Sequence, residues 1–163
     1  MVKHPNELSY NREIGRQLKL LEDFEFSKRD RGISFTLDMF DEFRFDKSGK
    51  VSFIDFIREE VKKRYQFKEI SASTYQNHMN FVSGLEDFGR IRTFSDLTLK
   101  KIVEFDRYVR TRKNVSLQST VWAYHKRMKI YVNLAIKRGH LKMEENPYLN
   151  FHVEKGKQGD RKY

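Results

Sequence analysis

The chain contains no cysteine. That excludes a disulfide framework and a zinc–thiolate site, and it fits a reducing compartment. Only two prolines occur, Pro5 and Pro147, so the long stretch between them carries no helix breaker of that kind. No apolar run comes near the ~20 residues that a membrane span needs. The opening residues, MVKHPNELSY, hold no apolar leader region. A glycine-rich phosphate loop is missing too, which leaves nucleotide hydrolysis without its usual cradle. The expectation is a soluble, cytoplasmic protein with no membrane partner.

Acidic residues are scarce in one region only. Residues 1–50 carry 10 Lys/Arg against 10 Asp/Glu, and residues 51–110 carry 11 against 9. Residues 111–163 carry 12 against 4, so most of the net charge of +10 lies in the last third. A local excess of this kind is the usual footprint of a polyanion, most often nucleic acid.

The hydrophobic pattern has the period of helices throughout. Leu8, Ile14, Leu18, Leu21 and Phe24 predict a first helix over about 7–31, stopped by Gly32. A short second helix is expected over 36–43. A third over 52–67 carries Phe53, Phe56, Ile57, Val61 and Tyr65 on one face. A fourth over 73–88 shows Met79, Val82, Leu85 and Phe88, and a fifth over 98–112 shows Ile102, Val103, Phe105, Tyr108 and Val109. The last long helix, about 117–138, has an inner stripe of Val121, Tyr124, Met128, Tyr131, Val132 and Ala135. Only 91–97 competes as a strand. The fold class is all-α: a compact four-helix bundle over 51–139 with an N-terminal helical extension.

Two of these helices open alike. Ser73-Thr74 and Ser119-Thr120 each precede an aromatic-rich run, and the runs end at Gly89 and Gly139. A hydroxyl at a helix start caps a backbone N–H without an intrahelical partner. Such an end also presents a partial positive charge, which suits phosphate. Tyr75, Asn77 and His78 surround the first start. Lys113, Asn114 and Ser116 precede the second, and Trp122, His125, Lys126 and Lys129 follow it at three- and four-residue spacing. That spacing puts these four on one helix face, expected to be exposed and opposite the apolar stripe.

The pattern from Ser73-Thr74 through Leu85 to Phe88 resembles the core-binding domain of tyrosine recombinases, the phage-type integrases, with His78 where Tyr is usual. In residues 120–151, Thr120, Tyr124, Met128, Ala135, Gly139 and Asn146-Pro147-Tyr148 fall where that family carries Thr, Tyr, Leu, Ala, Gly and Asn-Pro-Phe. SFIDFIREEVKKR at 52–64 is similar to the family's first core-binding helix. Residues 11–40 look like the helical connector that follows the arm-binding domain in integrases of Bacteroides-type mobile elements.

The resemblance implies a SAM-like core-binding bundle that forms half of a clamp on double-stranded DNA. Residues 1–50 would be the connector after a missing arm-binding domain. Residues 51–153 would be the DNA-binding body, and 154–163 a basic linker, with Lys155 and Lys157 crossing the backbone. Both Ser-Thr starts would face DNA. The partners implied are duplex DNA and, in a full-length protein, other recombinase protomers; the fragment itself is expected to be monomeric. No catalytic residue is assigned. The family's nucleophilic tyrosine and its cationic helpers lie in a further domain, so this chain is expected to bind and not to cleave, with no cofactor.

Other readings compete. A free-standing helical transcription regulator would dimerise and read a palindrome. A helical protein–protein adaptor would ignore DNA at physiological salt. FRFDKSGKVSFIDF at 43–56 imitates a calcium loop, but with Gly49 sixth the first position is Arg44, where a carboxylate is needed, and the twelfth is Asp55. His78, His125, His140 and His152 share no ligand motif, so no metal site is expected.

Overall fold

Hydroxyl side chains decide where several helices begin. Ser52 Oγ accepts from the Asp55 N–H at 3.1 Å and starts α2, Phe53–Gln66. Ser71 Oγ accepts from the Thr74 N–H at 3.2 Å and starts α3, Ala72–Phe88. Thr98 does the same for the Lys101 N–H and starts α4, Leu99–Thr111. The last helix, α5, spans Gln118–Lys137 and has no side-chain cap at its Leu117 start. It ends in paired bonds, His140 N–H to Ala135 O and Gly139 N–H to Ile136 O. These need a left-handed residue, which Gly139 supplies at φ 74°.

The computed structural model describes residues 7–36, 39–40, 43, 50–112 and 117–156. The chain divides into two compact units, Met1–Phe43 and Arg44–Tyr163. In the first, α1 spans Glu7–Asp30, and Phe24 is buried against Phe35 and Phe43, with ring centroids 5.9 and 5.1 Å away. The short helix expected over 36–43 and the calcium-like loop fall largely outside the described residues.

The second unit holds α2 to α5. Their inner faces meet in one core that includes Phe53, Ile57, Phe81, Leu85, Ile102, Phe105, Met128 and Tyr131. Among the described residues there is no β-strand. The stretch 91–97 makes one antiparallel bridge, Ser52 to Thr93, and then a 3₁₀ turn over Phe94–Asp96. Asp96 holds that turn. Its burial opposes the charge, but the Lys101 ammonium and the N–H groups of Thr93 and Arg92 outweigh that and bring its pKa down to about 2. The fold is all-α, as expected.

Candidate nucleic-acid interface

The two similar helix starts correspond in register, though not as caps. Ser73-Thr74 and Ser119-Thr120 each occupy the second and third positions of their helices, because α3 begins at Ala72 and α5 at Gln118. The caps are Ser71 and Leu117. Ser71 went unnoticed in the sequence, although serine immediately before a periodic run is the standard signal.

The helices α3 and α5 run side by side and leave a groove between them. Asn77, Asn80, Ser119, Thr120, Ala123 and Arg127 line it, with Phe81 and Tyr124 at its floor. Asn77, Ser119 and Thr120 were candidates from the sequence. Asn80, Ala123 and Arg127 were not, yet the signal was present: Asn77 and Asn80 are three apart, and Ser119, Ala123 and Arg127 are four apart. Tyr124 is half-buried. Its ring packs near Phe81 and Phe105, and Gly84 lets it sit close, since a Cβ there would lie 3.0 Å from Tyr124 Cε1. Tyr75 is also half-buried, its ring 4.7 Å from that of Tyr65.

The histidines require correction. His125 is 1% exposed and His78 is 7% exposed, so neither lies on a solvent face that could meet DNA. His78 Nδ1 pairs with the Tyr131 hydroxyl inside the core. Burial, with help from the Arg127 and Arg64 charges, lowers its pKa to about 4. His125 Nδ1 is 2.8 Å from the Tyr148 hydroxyl, and its Nε2 is 3.2 Å from Asp106 Oδ1. The second contact is off the line of a good hydrogen bond. It is an electrostatic pairing that favours the proton on Nε2 and leaves Nδ1 to accept from Tyr148. Burial lowers the His125 pKa to about 4 against the opposing pull of Asp106. Both imidazoles are therefore neutral at pH 7.

The other candidates spread around α5. Lys126 is exposed, with its Nζ 5.1 Å from the Trp122 ring. Lys155 approaches the same ring at 5.6 Å. Trp122 is half-buried. Lys129 leans over the buried Tyr148 ring at 5.1 Å. Ser73 and Thr74 stand at the surface turn of α3, with Thr74 Oγ1 3.0 Å from Ser71 Oγ. Lys113, Asn114, Ser116 and Lys157 lie outside the described residues. The first turn of α5 was expected to be open to an anion, but the chain after Phe151 covers it. Gln118 Nε2 donates to Glu154 O at 2.8 Å, and Gly156 packs directly on Ser119 N.

Many basic side chains elsewhere in the unit are neutralised. Arg58, Arg64, Arg90, Lys101, Arg110, Arg112 and Arg138 each pair with a carboxylate. The helix α5 contains no carboxylate at all. Among the described residues, Lys126, Arg127, Lys129 and Lys137 have no acidic partner. The acids of α3, Glu86 and Asp87, sit in its last turn and pair with Arg58 and Arg112. No three His, Asp or Glu side chains gather as a metal site among the described residues. No helix there is long and apolar enough to cross a membrane.

The unit is a helical bundle whose last long helix carries cations and no carboxylate. Its family is specific: residues 52–153 match the phage integrase SAM-like domain, and the chain belongs to that family. The match covers more than half of the chain and sets it among the integrase-type core-binding domains of tyrosine recombinases. No curated protein and no solved structure matches it.

Proposed function

We propose that the α3–α5 surface docks on duplex DNA at a recombination core site, as half of a clamp. Asn77, Asn80 and Arg127 would line the groove toward base edges. Ser73, Thr74, Lys126, Lys129 and Lys155 would contact the phosphate backbone, which positions rather than specifies. Residues 1–50 would connect this body to an arm-binding domain, as in recombinases of Bacteroides-type mobile elements, and 154–163 would lead toward a catalytic domain. On this reading the chain binds DNA and leaves strand cleavage to that domain.

The supporting observation is the charge of α5: Lys126, Arg127, Lys129 and Lys137, with no carboxylate on the helix and no ion pair to any of the four among the described residues. Cations left unpaired on a folded surface repel one another, and a polyanion relieves that repulsion while releasing its counterions. The test is fluorescence anisotropy with a labelled duplex over a salt series. A slope of log K against log salt on the order of −4 to −6 is expected, each phosphate contact giving about −0.9. No binding at low salt would overturn the reading and favour a helical adaptor.

A further inference from the structure

The segment after α5 does not simply leave the bundle. Asn146 Oδ1 accepts from the Tyr148 N–H at 3.0 Å and opens a 3₁₀ turn over Pro147–Leu149, which buries Pro147 and Tyr148. The Tyr148 hydroxyl then reaches His125. Phe151 packs with its ring 5.2 Å from the imidazole. Farther on, the Gln118 amide donates to Glu154 O, and its own Oε1 is fixed by Arg110 Nη1 at 2.9 Å. Lys155 reaches Trp122. At Gly156 the backbones touch: a Cβ there would lie 2.7 Å from Ser119 N and 3.2 Å from Gln118 C. Those are main-chain atoms of α5 and cannot give way as a side chain would.

From these contacts we infer that residues 146–156 form a strap docked along α5, and that Gly156, Gln118 and Tyr148 are positioning residues that set Lys155 beside Lys126. The inference rests on the DNA reading above and extends it: part of the basic surface is assembled by the strap. Two ammonium groups around one indole each gain from the ring but repel each other. A polyanion whose phosphates contact both removes that repulsion, so strap docking and polyanion binding favour one another. The relation is reciprocal, because any ligand that binds the docked state better must also stabilise docking.

Trp122 is the only tryptophan in the chain, so its emission reports docking directly. The experiment compares the full chain with Gly156→Ala, Gln118→Ala and Lys155→Gln, reading Trp122 emission, helicity and the salt slope of DNA binding. Gly156→Ala and Gln118→Ala should shift emission to the red without loss of helicity. Gly156→Ala should also flatten the slope by about 0.9, the share of one phosphate contact, as Lys155→Gln does by removing the charge itself. Unchanged emission in both strap variants would overturn the docking. A red shift with an unchanged slope would overturn the positioning role. If the wild-type chain binds no DNA, the DNA reading fails and the positioning role with it, while the emission still decides whether the strap docks.

Discussion

At the scale of single residues, the two buried histidines couple folding to pH. In the unfolded chain both take up a proton near pH 6.5, whereas in the bundle His78 and His125 resist until about pH 4. Between those values the unfolded state binds more protons, so stability rises with pH and is lost as pH falls through the window. From pH 7 to pH 5 the loss is about 2 kcal/mol per histidine, before most carboxylates titrate. Urea midpoints at pH 7, 6 and 5 measure it, and a flat profile would mean that neither ring is sequestered. Tyr131→Phe tests one partnership. It strips His78 Nδ1 of its buried hydroxyl and should cost on the order of 1–3 kcal/mol, with little change in DNA binding.

The histidines also show where sequence reading stopped. His125 shares its spacing with Trp122 and Lys129, and from one helix alone it looks like a member of the same exposed face. It lies instead where α5 turns inward, between Val121 and Val132. The groups that make its burial affordable, Asp106 and Tyr148, come from other elements. Periodicity sorts residues by direction but cannot supply partners distant in sequence, and a polar residue is inside only when such partners exist. The apolar stripes needed no such information. Val82, Leu85, Ile102, Phe105, Val109, Met128 and Tyr131 were all legible and are all buried.

At the scale of elements, helix starts were legible to within two residues, and the distinction matters for energetics. Ser71, not Ser73, accepts the bond that caps α3. Ser71→Ala should therefore cost about 1 kcal/mol. Ser73→Ala, on an exposed second position, should stay within about 0.5 kcal/mol. Parallel urea denaturation of the two variants separates them, and equal losses would contradict the assignment. The helix α5 differs in kind. With Leu117 as its uncapped start, its first turn relies on the strap for cover. That dependence could not be read from the sequence, where 154–156 appeared only as part of a polar, basic linker. A glycine amid lysines reads as flexibility, but Gly156 serves close approach between two backbones.

At the scale of the whole molecule, the question is whether the basic excess acts as a general field or as a placed surface. The net charge of +10 would attract any polyanion weakly from all sides. A placed surface makes a sharper prediction, because equal changes in net charge then have unequal effects. Lys126→Glu with Arg127→Glu changes two cations that have no acidic partner on α5. Lys62→Glu with Lys63→Glu changes the charge by the same amount on α2. The first pair should weaken duplex binding at low salt by more than tenfold and flatten the salt slope by about 1.8, two phosphate contacts' worth. The second pair should weaken binding only modestly and leave the slope unchanged, since long-range charge is screened within roughly 10 Å at 0.1 M salt. Circular dichroism on both confirms that the bundle persists. Equal losses from both pairs would mean that the protein attracts DNA through its overall field, and the α3–α5 surface would lose its claim to be the docking face.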